Sequence, residues 1–206
     1  MPTNVYKPIP ESEMAAALRQ IDPTAGGEIG TVGTATSGSI GCAIERYGPL
    51  FKLTFTLAAA RVPVTDGAAS GSFGTLKIFT FAQAGISFLG ARQDYTAFAE
   101  GAALTAAAGD AAFEIGVGTT AISAAADATL GNGVNENVGQ AVAITLSGGT
   151  GTGTAVDGAK TTALNGTASA ITLNLNWSGS AATIEANSTI DVTGTITVVG
   201  AFLGDD

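Results

Sequence analysis

From Glu45 onward apolar residues fall at every second position, and that two-residue period limits the fold more than any other feature. Successive side chains of a strand point to opposite faces, so alternation predicts a strand with one buried and one wet face. Phe51, Leu53, Phe55 and Leu57 alternate with Lys52, Thr54 and Thr56. Leu76, Ile78 and Thr80 alternate with Lys77, Phe79 and Phe81; apolar groups on both faces predict a central strand. Ile86 to Phe98 predicts a long strand bulged near Gly90, and Ala112 to Val117 another. Val142, Ile144 and Leu146 resume the alternation. Ile171, Leu173, Leu175 and Trp177 give its cleanest example, and Ile190, Val192, Ile196 and Val198 close it. Roughly eight to ten short strands at such spacings suit an antiparallel sandwich or barrel. The expected fold is mainly β: one antiparallel β-sandwich or jelly-roll-like barrel domain over residues 42–206.

Residues 1–41 read differently, as an extended N-terminal arm. Pro2, Pro8, Pro10 and Pro23 punctuate them, and Gly26 to Gly41 is rich in Gly, Thr and Ser. Between lies a short helix signal, Glu11 to Ile21, with Met14, Leu18 and Ile21 on one face, Ser12 as cap and Asp22-Pro23 as stop. So short a helix is marginal alone in water and needs a surface to dock on. Tyr6, Pro8, Ile9, Met14, Leu18 and Ile21 are therefore the candidate contacts to a partner or a neighbouring subunit.

Composition excludes several functions. Charged residues make up 12% of the chain, about half the usual ~25%. A surface of Thr, Ser, Asn, Ala and Gly, or one covered by neighbours in an assembly, accounts for so little charge. The net charge is −9, and the eight Lys and Arg form no basic stripe, which argues against nucleic-acid binding. There is no histidine, so neither a Ser-His-Asp triad nor imidazole metal ligation is available. Cys42 is the single cysteine, so no intrachain disulfide forms. The first residues carry no apolar leader pattern, and no run approaches the ~18 apolar residues of a membrane helix. Synthesis and folding in a cytoplasm are expected, without membrane contact.

The remaining motifs are weak. Gly116 to Ala121 fits the dinucleotide pattern G-x-G-x-x-A, with Glu136 downstream, but hairpins on both sides do not supply a βαβ unit. A turn or bulge needing small residues is the better reading. Asp127 to Asn137 offers oxygen ligands, though not at EF-hand spacing, so a weak cation site there stays open. Gly148 to Gly158 reads as a loop tip, and the pairs Asp110/Glu114 and Asp205/Asp206 read as solvated charge. Trp177 reads as a core plug rather than a sugar platform. No catalytic residue, cofactor or metal is expected, and the chain is read as a non-enzyme.

Several segments together resemble head-associated structural proteins of tailed bacteriophages: ERYGPLFKLTFTL, FGTLKIFTFAQAGISFLGARQDYTAF, GDAAFEIGVGT and the closing LNLNW…IDVTGTITVVGAF. The resemblance covers roughly residues 44–206 and leaves the arm out. It implies a decoration, or cement, protein on the outer surface of the capsid, bound to the major capsid protein and self-associated as a homotrimer. Two rivals remain: another virion part (a head-fibre base, tail-tube or minor capsid protein), and an extracellular adhesin or surface-layer module.

Overall fold

The computed structural model describes residues 29–67, 71–82, 84–103, 113–123, 130, 134–147, 150–152, 156–158, 162–165, 169–179 and 186–203. Twelve strands run through them: β1 (Gly30–Val32), β2 (Ser39–Tyr47), β3 (Leu50–Asp66), β4 (Ser72–Phe81), β5 (Gly85–Glu100), β6 (Phe113–Gly118), β7 (Gly139–Ser147), β8 (Thr150–Thr152), β9 (Val156–Gly158), β10 (Thr162–Asn165), β11 (Thr172–Gly179) and β12 (Ser188–Phe202). Every pairing is antiparallel, in the order β1-β4-β11-β6-β7-β8-β5-β12-β3-β2, with β9 and β10 also on β5. A further pairing of β3 with β4 joins strands near the two ends of that path. The result is a nearly closed antiparallel barrel, the mainly β architecture that the alternation predicts.

Its longest wall is β2–β3–β12–β5. On β3, Phe51, Leu53, Phe55 and Leu57 are buried, and the residues between them face outward. On β12, Ile190, Val192, Ile196 and Val198 do the same. The β5 ladder on β12 steps from Gly90 to Phe88 against Val199 and Gly200, so Leu89 is the extra residue of a bulge beside Gly90. A second bulge near Thr96 faces Gly194, and on β3 the same level holds Ala59 in the left-handed region at φ 49°. Bulges bend strands sharply, as a sheet rolling into a barrel requires.

β4 corrects the reading of Ile78 and Phe79. The β11 register steps from Leu173↔Phe79 to Asn174↔Lys77, leaving Ile78 unopposed. The bulge shifts the side-chain phase by one, so Leu76, Ile78, Phe79 and Phe81 are all buried along a single strand.

The boundary of the arm also moves. Residues 29–41, read as part of the arm, hold β1 and the first residues of β2. β3 and β4 pair directly only where Val64–Asp66 meet Ser72–Gly74. Beyond that β4 pairs with β1, and β3 with β2. The segment from Ile29 to Tyr47 thus fills the seam between the diverging strands, tied by Gly33 N–H to Ile78 O (2.9 Å) and Arg61 N–H to Ser37 O (3.1 Å). β1 is only three residues long, and of the strand residues within 29–41 only Ile40 of β2 packs a large aliphatic side chain against the core, so the pairing there rests largely on backbone groups that the seam leaves to be satisfied. Likewise, Thr150–Thr152 and Val156–Gly158 are strands β8 and β9 within the stretch read as a loop tip.

The core is aromatic at the Pro49 end. Phe51, Phe79, Phe81 and Phe88 pack with ring centroids 4.9 to 5.7 Å apart, mostly tilted or edge-on. At the opposite end Trp177 stacks on Phe113 at 5.1 Å, a core plug as expected.

Candidate interaction surface

The candidate contacts Tyr6, Pro8, Ile9, Met14, Leu18 and Ile21 lie outside the described residues, as does most of Asp127 to Asn137. The surface that the structure does build is on the long wall, at its Pro49 end. The two-residue turn Gly48-Pro49, with Gly48 at φ 61°, sets Tyr47 directly opposite Leu50. Leu50 pairs with Ala201, and two positions along β12 lies Val199. Leu89, pushed out by its bulge, sits beside Val199 on the next strand, and Leu203 follows the end of β12. Tyr47 is 61% exposed and Leu203 56%, with Leu50, Leu89 and Val199 each above a third. Single exposed apolar residues are ordinary; five converging across four neighbouring strands make this row the candidate contact surface.

The flank of this row is charged but neutralised. Lys52 Nζ donates to Glu45 Oε1 at 2.8 Å, directly across the β2–β3 ladder, and Tyr47 Oη donates to Glu45 Oε2 at 3.2 Å. The Lys52 hydrogen bond and charge hold the Glu45 carboxyl below its ordinary range. Farther along, the Arg61 guanidinium forks onto both oxygens of Asp191 at 2.7 Å. The Arg46 guanidinium lies over the Phe202 ring, 5.5 Å from its centroid. A partner docking on Tyr47, Leu50 and Leu89 therefore meets paired charges, which need little reorganisation.

The motif with a chemical look resolves into packing. Gly116 and Gly118 lie on β6 between antiparallel neighbours β11 and β7, the opposite of a βαβ unit. A Cβ on Gly118 would fall 2.2 Å from the Asn135 carbonyl carbon, so the small residue serves a close backbone approach. Residues 119–122 and 134–138 lie over the outer face of β11 and are tied to it by amides. Asn176 Nδ2 donates to Thr120 O (2.9 Å) and Asn135 O (2.8 Å), while its Oδ1 accepts from Ile122 N–H and Thr75 Oγ1. Asn137 Oδ1 accepts from Thr119 N–H, and its Nδ2 donates to Thr119 Oγ1. Glu136 accepts from Ala141 N–H at 2.7 Å. These oxygens and amides are used by the protein itself, and among the described residues no group of three acidic or thiol side chains is placed to hold a metal. Periodicity missed this network because Asn174, Asn176 and Ser178 occupy the polar phase of a strand yet are buried.

Cys42 packs partly against the core on β2, and burial pushes its thiol up to about 12. A thiol so held is protonated and inert at neutral pH. No family model, curated protein or solved structure matches this chain.

Proposed function

We propose that this chain is a virion structural protein, a decoration or cement protein that binds the outer surface of a bacteriophage head. Its partners in this reading are the major capsid protein and its own copies, as a homotrimer, and it performs no catalysis. The observation that carries the reading is the exposed apolar row Tyr47, Leu50, Leu89, Val199 and Leu203 on a rigid barrel wall, in a chain with half the usual charge. The resemblance of residues 44–206 to phage head proteins supports it. Each contact need not be strong, because many copies act together on one shell. The acidic balance suits the outside of a shell, away from packaged DNA. The N-terminal segment supplies a second contact in this reading, through Tyr6 to Ile21.

The test is binding to capsids lacking the protein. Removing residues 1–24 leaves every described strand in place, so it should abolish or strongly weaken binding while the circular dichroism of the barrel is retained. Leu50→Lys combined with Leu89→Lys should do the same through the wall. Full binding by both variants overturns the proposal; recovery of the protein from cell surfaces rather than particles favours the adhesin reading.

A further inference from the structure

Buried polar groups inside the barrel fall into two populations. Near its middle they are paired: Gln93 Nε2 donates to Gln140 O at 2.7 Å, and Gln93 Oε1 accepts from the fully buried Tyr95 hydroxyl at 2.7 Å. At the end where β3 turns into β4 they are not. Ser72 Oγ and Trp177 Nε1, both on fully buried residues, have no protein partner, and neither do Ser188 Oγ and the two carboxylate oxygens of Glu100.

The register gathers these groups. Ser72 is in phase with buried Gly74 and Leu76, Trp177 with Leu175, Ser188 with Ile190, and Glu100 with Phe98, so all four face the lumen. Ser188 lies opposite Val64, Val64 opposite Gly74, and Gly74 opposite Trp177. Glu100 lies opposite Ile190, two residues along from Ser188. Gly179, opposite Ser72, keeps the space open: a Cβ there would lie 2.6 Å from Ser72 Oγ and 3.0 Å from the Phe113 ring. The lumen of a barrel with about eight strands is narrow, so side chains entering one end converge.

An unpartnered buried donor or acceptor costs about 1–3 kcal/mol, and native proteins satisfy such groups with ordered water. We propose that this end of the barrel encloses a polar site, formed by Ser72, Glu100, Trp177 and Ser188, whose ligand is a small cluster of long-lived water molecules. The indole N–H only donates, the carboxylate accepts and the hydroxyls do both, which is the mixed set that water satisfies. Among the described residues no three carboxylate or thiol groups gather here, and so few hard ligands suit a metal ion poorly. Burial raises the affinity of Glu100 for its proton, so the site is also where solvent pH reaches the interior. Of the other charged groups on neighbouring strands, Arg61 and Asp191 pair outside the wall and Glu114 lies on the outer phase opposite Ser178, whereas Asp66, directly opposite Ser72 at the end of β3, shares the face of the site at its rim.

Trp177 is the only tryptophan in the chain, so its indole N–H gives one unambiguous amide-region signal. Water-selective NMR on the intact protein should show a cross-peak from this proton to water, with the sign of a long-lived bound molecule. Ser72→Ala should weaken that cross-peak and move the indole resonance. The resonance should also titrate at a pH above the ordinary glutamate range, a step that Glu100→Gln removes. Absence of the water cross-peak in the unmodified protein overturns the proposal whatever the variants do. A cross-peak that is present but indifferent to both substitutions overturns the assignment of these residues to the site.

Discussion

The wall β3–β12–β5 and the wall β4–β11–β6 solve the same problem in opposite ways. The first is long and one-sided: apolar residues line the lumen, and Lys52, Thr54 and Thr56 face out. In the second the central strand, β11, is buried on both faces, because residues 119–122 and 134–138 fold over its outside. On the first wall the hydrophobic effect alone sets which face is which. On the second, apolar burial fixes the inner face, and hydrogen bonds from Asn176 and Asn137 hold the outer cover. A wet face leaves a wall free to bind a partner, whereas a covered one is committed to the fold. The exposed row from Tyr47 to Leu203 lies on the first wall.

Substitutions can break this contrast, the largest in the core. Phe55→Ala on the long wall removes a fully buried ring packed against Phe79 and should cost about 3–5 kcal/mol in chemical denaturation, through the cavity it leaves. Asn176→Ala on the short wall removes no apolar core yet takes away the partners of the Asn135 carbonyl and the Ile122 N–H, while Thr120 O keeps its bond from Asn135 Nδ2; it should cost about 2–3 kcal/mol. Its distinguishing mark is local: hydrogen exchange should accelerate at Thr120, Ile122 and Ala141 before the long wall is affected. Uniform loss of protection would show that the cover is not a separate layer.

Smaller effects sharpen the contrast. Burial raises the Glu100 carboxyl above its ordinary 4.5, so the folded state holds the proton more tightly than the unfolded chain. That contribution is fully present below pH 4.5 and is lost as pH rises through the folded value. Glu100→Gln should therefore raise the melting temperature at pH 7 relative to the parent and erase the advantage at pH 4. Cys42, pushed up to about 12 by burial, should react with a thiol reagent at pH 8 far more slowly than the unfolded chain does. The smallest change is expected for Arg61→Ala, whose half-buried pair with Asp191 at the barrel surface should shift the melting curve only slightly, and less still in high salt.

Sequence reveals the first wall far better than the second. Phe51 to Leu57 and Ile190 to Val198 alternate because water on one side selects polar residues there. On β11 the same alternation is visible, but Asn174 and Asn176 look solvent-facing in sequence although a covering segment buries them. The bulge at Ile78 erases its own signal, since a one-residue phase shift mimics a strand apolar on both faces. β1 and the start of β2 are hidden for another reason: Gly30 to Val32 and Ser39 to Gly41 pair through backbone groups and carry almost no side-chain pattern. Of the candidate interaction surface, Tyr47, Leu50 and Leu89 were visible only as residues. Their convergence depends on the register of three ladders and on a bulge, which no local pattern encodes.

The proposed role in coating a phage head is tested most directly by quantitative mass spectrometry of purified particles. The account predicts the protein in particles at a copy number comparable to that of the major capsid protein. Its absence from particles, or its presence in only a handful of copies, would contradict the account.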